Sequence, residues 1–252
     1  MSHFYKVSKS GNIKLVKAIN TPAKAREKGA LASVTTMLSV LPSDFLSSWS
    51  RRQIFDLANQ GLTFEECERR RYGMRTDVDG REVTSAEFGT RVHKALECHL
   101  ERMQDGDLSP NNGPYAKYVI PFATWFDTCG YTLVKAETIC YCLERKTAGT
   151  IDVLAQDPNG RYALMDFKTR SVRADQKPES KTYLKDAAQL AVEAEIIRET
   201  LKLDYTPNII SIVIGTDDGR TGIRHWTLEQ QMFALEVFDA CCNLYLTINK
   251  MK

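Results

Sequence analysis

Two apolar runs, Ala148 to Ala155 and Tyr162 to Thr169, flank the sequence Asp157-Pro-Asn-Gly160. That turn signal joins them as a hairpin and constrains the fold more than any other feature of the chain. Thr132 to Cys142 reads as a third strand just ahead of them. Asn208 to Thr216 is a β-branched run suited to a buried strand, and Gly222 to Thr227 is placed to pair with it. Between these groups Tyr183 to Leu201 has helical periodicity. A last helix starts at Thr227, with Gln230 at capping-box spacing, and runs toward Asn249. Helices, a three-stranded meander, a helix, a hairpin and a helix describe an α/β domain with a mixed central β-sheet flanked by helices.

The N-terminal part reads differently. Residues 1–30 mix Lys, Ala and Gly and suggest a short strand or arm. A helix is expected from Ser33-Val-Thr-Thr-Met-Leu, since Ser and Thr cap helix starts. Pro42 interrupts it; Ser43 or Asp44 can cap a second helix, with Phe45 and Trp49 on one face. Ile54 to Arg71 reads as a further helix ending in Glu68-Arg-Arg-Arg71. After a polar, turn-rich stretch from Gly73 to Glu82, Thr84-Ser-Ala-Glu87 has capping-box spacing. The helix that follows carries Phe88, Val92, Leu96 and Leu100 as an apolar stripe. Gly89, His93 and Glu97 lie beside it at i, i+4 spacing. Asp105 to Pro114 reads as a loop, and Tyr115 to Thr128 as a helix despite Pro121. These features divide the chain into an N-terminal helical extension, 1–84, packed on a core, 85–252, within one compact domain.

A length of 252 residues suffices for a substantial hydrophobic core. The net charge of +2 excludes a polycation, so any nucleic-acid binding must come from local basic patches. The 7 cysteines form no CxxC pair and read as reduced thiols of a cytosolic protein. Cys140 and Cys142 would share a strand face and could touch a metal, but no second cysteine pair completes a four-thiolate site. No signal-peptide core and no membrane-length apolar run is present, so a soluble, cytoplasmic protein without a membrane partner is expected.

The chemistry-bearing pattern is Gly149-Thr-Ile-Asp152 followed by Leu164-Met-Asp166-Phe-Lys168. Asp152 would end one strand. Asp166 and Lys168, two apart, project from one face of the next. Charges set among Ile151, Val153, Leu164, Met165 and Phe167 are costly unless paired or metal-bound. Two readings stand: a hairpin whose charges form an ordinary salt bridge, or a pair of carboxylates that holds Mg²⁺ or Mn²⁺ beside a lysine. In the second, the metal polarises a phosphate and activates water, and Lys168 orients that water or offsets developing charge.

The chain resembles the PD-(D/E)XK nuclease superfamily, and within it the RecB-like exonucleases. The residues that carry the resemblance are Gly89-Thr-Arg-Val-His93, Glu137, Gly149-Thr-Ile-Asp152, Met165-Asp-Phe-Lys-Thr169 and Gln189-Leu190, in the family's order across roughly Ser85 to Leu201. Ser33-Val-Thr-Thr-Met-Leu, with Trp49 downstream, is similar to the mitochondrial genome maintenance exonuclease branch and its phage and bacterial relatives. The resemblance implies a restriction-endonuclease-like core and a DNA exonuclease. It also implies a preference for single strands or free ends, work in replication, recombination or repair, and a bacterial or phage source. Asp152, Asp166 and Lys168 would be catalytic; His93, Asp152, Asp166 and the Phe167 carbonyl would hold the metal. Gln189 would brace the site or a DNA phosphate, and Glu137 could bind a second metal or serve only the strand. Competing readings are a structure-specific endonuclease and a DNA-binding module that no longer cuts; the intact Asp152, Asp166 and Lys168 argue against the module.

Some RecB-like nucleases carry a four-cysteine iron–sulfur cluster. No matching cysteine set is present here, and none is expected. No helicase phosphate-binding motif is present either. Arg170, Arg173, Lys177, Lys181 and Lys185 follow the lysine strand, with Asp175, Glu179 and Asp186 among them. They read as a flexible clamp on the DNA backbone or as a solvated loop. Tyr183 could stack on a base. Thr35 and Thr36 are further DNA-contact candidates, as is Arg69-Arg70-Arg71, which could equally be a helix end favoured by the dipole. A replication or recombination protein is a further expected kind of partner.

Overall fold

A computed structural model describes residues 3–8, 10–41, 44–71, 73–107 and 113–251, with backbone alone at 44–49. The chain opens with β1 (Phe4–Val7), β2 (Ile13–Leu15), α1 (Pro22–Lys28), β3 (Leu31–Ser33) and α2 (Val34–Met37). Next come α3 (Asp44–Asn59), α4 (Phe64–Arg70), and the short hairpin β4 (Met74–Thr76) and β5 (Glu82–Thr84). Then follow α5 (Ser85–Gln104), α6 (Ala116–Thr128), and the meander β6 (Thr132–Cys142), β7 (Thr147–Gln156) and β8 (Tyr162–Arg170). The chain ends with α7 (Leu184–Leu201), β9 (Asn208–Gly215), β10 (Thr221–His225) and α8 (Leu228–Ile248).

The architecture is the expected mixed sheet between helices. Eight strands run in the order β10-β9-β8-β7-β3-β1-β2, with β6 on the other edge of β7. β8 pairs parallel with β9, and β3 parallel with β7, while the meander is antiparallel. Phe88, Val92, Leu96, Phe122 and Phe126 of α5 and α6 cover one face, against Val153, Met165, Phe167, Ile210 and Ile212. Leu190, Ile196 and Phe238 of α7 and α8 cover the other, against Ile151, Leu154, Leu164 and Ile209. A fully buried Phe or Leu contributes about 1.5–3 kcal/mol, so these two layers hold most of the stability. Cys140 and Cys142 share the α7–α8 face. Thr84–Glu87 and Thr227–Gln230 both form capping boxes.

Pro121 is tolerated inside α6 because its missing N–H frees only the Lys117 carbonyl. Gly219, at φ +79, packs where a Cβ would come 2.5 Å from that oxygen. The β9–β10 turn thereby docks on α6.

Several expectations need correction. The N-terminal piece is not helical alone: β1, β2 and β3 extend the central sheet, which therefore crosses the 84/85 boundary. Strands β1 and β2 stand within the stretch expected as a short strand or arm, and a helix, α1, capped by Thr21, follows them there. The helix expected from Ile54 to Arg71 breaks at Gly61, whose φ is +81, and restarts behind the Thr63 cap as α4. Asp152 lies inside β7 rather than at its end. The expected break at Pro42 and the Ser43 cap fall outside the described residues, as do the side chains of Asp44, Phe45 and Trp49 and part of the Asp105 to Pro114 loop, 108–112. Among the described residues no helix is long and apolar enough to cross a membrane.

Candidate active site

The site forms where the sheet opens. β6 occupies one edge of β7 along its length. On the other edge β8 pairs only from Val153↔Met165 to Gln156↔Tyr162, and β3 only with Thr147 and Ala148. Gly149 to Asp152 therefore have no strand partner on that edge. Beyond Met165, β8 continues against β9 alone. Asp152 and Asp166 stand at the fork where β7 and β8 part. The Phe167 N–H, released from the ladder, donates to Asp152 Oδ2 at 2.7 Å.

The strands also twist out of alternation here. Glu137 lies opposite Asp152, between the pairs Ala136↔Val153 and Thr138↔Ile151, and has φ +47. That left-handed conformation is unfavourable for a glutamate and persists only where the surroundings impose it. Across it the buried residues change faces: Ala136 and Val153 pack toward α5 and α6, whereas Cys140 and Ile151 pack toward α7 and α8. Groups from both faces of the sheet consequently lie near the fork, His93 on one side and Asp166 and Lys168 on the other.

On the α7 side, Asp166 and Lys168 share a face of β8 as their spacing requires, and form an ion pair. Gln189 joins them: its Nε2 donates to Asp166 Oδ1 at 2.9 Å, and its Oε1 accepts from Lys168 Nζ at 3.1 Å. Burial alone would lower the Lys168 pKa, but Asp166, Asp186 and Asp152 outweigh it and keep the ammonium charged. Burial and then Asp166 push the Asp152 carboxyl well above its ordinary range. On the opposite side, His93 sets its ring edge-on to Phe167, centroids 6.1 Å apart. Burial lowers its pKa to about 4, with Asp166 opposing, so at neutral pH it is an uncharged imidazole. Gly89 lets α5 approach: a Cβ there would lie 2.7 Å from Thr169 Oγ1.

The donor set suits a hard divalent cation. Asp152 and Asp166 converge with a single ammonium, and Asp166 Oδ2 contacts it as an ion pair outside hydrogen-bonding geometry. The buried acids thus outnumber the cation that balances them, and oxygen donors with one neutral imidazole match Mn²⁺ or Mg²⁺. Among the described residues no three His, Cys, Asp or Glu side chains are already grouped as ligands.

A cleft of ≈ 1000 Å³ opens from Asp152 along α5, lined by Ser85, Gly89, Thr90, His93, Glu137 and Arg170 among others. His3 also lines it. The other DNA-contact candidates scatter. Thr35 is exposed, but Thr36 is buried, with its hydroxyl taken by His3 N and Ser33; it cannot touch DNA without refolding the cap. Arg170 lines the cleft, bonded to Asp186 at 3.1 Å with its guanidinium over the Tyr183 ring. Tyr183 itself is exposed. Arg173 pairs with Asp175. The segment carrying them is not a free clamp: Asp217 holds Ser171 and Val172, and Arg220 holds the carbonyls of Arg173 and Gln176. Lys181 ends the short 3-10 turn Pro178–Lys181, whose Pro178 is buried. Arg69, Arg70 and Arg71 each pair with a glutamate of α4.

One buried acid beside the site is not legible in the sequence. Glu193, one turn beyond Gln189, is 1% exposed. The only available signal was its i+4 spacing from Gln189. It fills the space left by the glycine of Gly149-Thr-Ile-Asp152, where a Cβ would come 2.5 Å from Glu193 Oε1. Gly149→Ala is therefore expected to cost about 1–3 kcal/mol through overpacking, read as a lower melting temperature. Glu193→Ala in the same chain should recover most of it. A Gly149→Ala chain as stable as the wild type would show that the carboxyl is not wedged there.

No family model matches this chain, and no curated protein does. Among the solved structures similar to this chain are two with low overall similarity. One is a candidate exonuclease from Eubacterium rectale, 15% identical, covering 64% of this chain and 67% of that one with a TM-score of 0.44. The other is the protein SSO0001, 11% identical, covering 59% of this chain and 69% of that one with a TM-score of 0.29. Likeness at that level leaves the chemistry to be argued from the site itself.

Proposed function

We propose that this chain is a metal-dependent nuclease that hydrolyses DNA phosphodiester bonds, acting on single strands or free ends as an exonuclease in replication, recombination or repair. One observation supports the reading above the rest: Asp152, Asp166 and Lys168 meet where β7 and β8 part, and Gln189 ties the last two together. An ordinary surface salt bridge needs neither the interrupted ladder nor a buried amide. Asp152, Asp166 and His93, with the Phe167 carbonyl, would hold Mg²⁺ or Mn²⁺, and Glu137 would face a second ion. When bound, such a cation polarises the scissile phosphate and lowers the pKa of a water.

The protein groups do the rest. Lys168, kept charged by its acidic neighbours, offsets the negative charge that grows on phosphorus oxygens. Gln189 fixes the ammonium so that no reorganisation is needed at the moment of reaction. Uncharged His93 leaves a ring nitrogen free to ligate. Arg170, oriented by Asp186, offers a cation to a neighbouring phosphate at the cleft wall.

Digestion of end-labelled single- and double-stranded DNA with Mg²⁺, Mn²⁺ or EDTA tests the assignment, and label released as mononucleotides separates an exonuclease from an endonuclease. No cleavage of any DNA with either metal would reject it. Replacing Arg170, Arg173 and Lys181 together by Ala should weaken binding of all sequences alike, since phosphate contacts carry no base identity. The slope of log K against log salt should flatten by about 0.7 for each lost contact to single-stranded DNA. Affinities measured in EDTA show this; an unchanged slope moves the strand path to the α5 wall of the cleft.

A further inference from the structure

α7 is buried on nearly all sides, from Asp186 through Ala194 without a break. Three of those residues are polar, and they fall on one face: Asp186, Gln189 and Glu193. β8 presents Arg170, Lys168 and Asp166 at alternate positions. Asp186 meets Arg170, and Gln189 meets Lys168 and Asp166. Glu193 completes the row behind them, against Gly149. Its Oε2 is buried without a hydrogen-bond partner, and the nearby Gln189 amide favours its charged form against burial, which opposes it.

An amide that serves an acid and an ammonium together has only one useful orientation. Gln189 must aim its N–H₂ at Asp166 and its oxygen at Lys168; the reverse puts oxygen against carboxylate and N–H against ammonium. Asp166 takes one of the two amide hydrogens. The second needs an acceptor, and Glu193, one turn along the same buried face of α7, is placed to supply it. A leucine or methionine would fill the space beneath Gly149 without an unpartnered buried acid, so packing alone does not call for a glutamate.

We propose that Glu193 is a positioning residue, holding the Gln189 amide in the one orientation that serves both Asp166 and Lys168. The proposal rests on the nuclease reading for its effect on rate, but not for its effect on Lys168. Glu193→Gln keeps an acceptor oxygen in the same place; Glu193→Met keeps the volume and removes the acceptor. Glu193→Met should melt at or above the wild-type temperature. It should nonetheless cut single-stranded DNA at least about tenfold more slowly in kcat, with KM unchanged, the loss expected for one hydrogen bond serving a charged group. Glu193→Gln should stay within about threefold of wild type, since one acceptor replaces another.

The independent readout is the ¹⁵Nζ resonance of Lys168, assigned by its disappearance in Lys168→Met and recorded without metal or DNA. Glu193→Met should shift it, and Glu193→Gln should leave it nearly in place. A Glu193→Met chain with wild-type kcat and an unmoved resonance overturns the proposal, as does a Glu193→Gln chain as slow and as shifted as Glu193→Met. A wild-type chain that cuts no DNA overturns the nuclease reading alone, because the resonance still decides what Glu193 does.

Discussion

Asp166→Asn and Lys168→Ala are each expected to slow DNA cleavage by about 10²-fold or more, the usual cost of removing one preorganised electrostatic group. Asn preserves the shape of Asp166 and can still meet the Gln189 amide, but it carries no charge for a cation. Lys168→Ala keeps both carboxylates and removes the ammonium. That leaves Asp166 buried without its ionic partner, a change that destabilises more than the Asn substitution does. Lys168→Met, which keeps most of the stem, separates the two effects. Affinity for DNA in EDTA should fall far less than kcat in both lysine variants, since Lys168 acts on charge that appears only in the transition state. Purified, cooperatively melting variants that cut at near-normal rate would remove these residues from the chemistry.

What the sequence shows and what it conceals divide along the range of the interactions. The hairpin around Asp157-Pro-Asn-Gly160 is legible because turn chemistry is local: Asp157 Oδ1 accepts from Asn159 N and Arg161 N. The Thr84 and Thr227 caps are legible for the same reason. β3 is not, because its three residues are held by distant partners, Phe4 and Tyr5 on one edge and Thr147 and Ala148, more than a hundred positions away, on the other. Register is also hidden. Spacing puts Asp166 and Lys168 on one face, but it cannot show that the β7–β8 ladder stops one pair short of Asp152 and Asp166. Glu193 is hidden because a glutamate in a helix usually faces water; only the burial of α7 on nearly all sides turns it inward. The pairing of the loop cations is hidden as well. A run of Arg and Lys suggests a free positive arm, yet Arg170 is paired with Asp186 of α7 and Arg173 with Asp175. Thr36 shows the same limit: a hydroxyl bonded into its own fold, here to His3 and Ser33, and a ligand-binding hydroxyl are indistinguishable in sequence.

Withdrawing divalent metal is expected to stop cleavage altogether, and supplying it to raise the melting temperature only of chains that keep their carboxylates. The metal-free protein carries an unfavourable cluster: Asp152, Asp166 and Glu193 crowd one ammonium, and burial pushes the carboxyls of Asp152 and Glu193 well up. Asp152→Asn removes part of that cost, because the amide oxygen can still accept the Phe167 N–H now received by the carboxylate. Without metal, the variant should therefore melt at or above the wild-type temperature, as expected where function is held at the expense of stability. Metal reverses the order. At about a hundred times its Kd, a ligand that binds only the folded state adds about 2.7 kcal/mol, and each kcal/mol moves Tm by about 2–4 °C in a chain of this size. Asp152→Asn and His93→Ala should gain less. The shift in wild type should be larger with Mn²⁺ than with Mg²⁺, since an imidazole among oxygen ligands favours Mn²⁺. Thermal melts with and without each metal measure all of this before any DNA is added. Equal shifts in wild type and Asp152→Asn, or undiminished cleavage in EDTA, would take the metal out of this site and leave Asp166 and Lys168 as an ion pair.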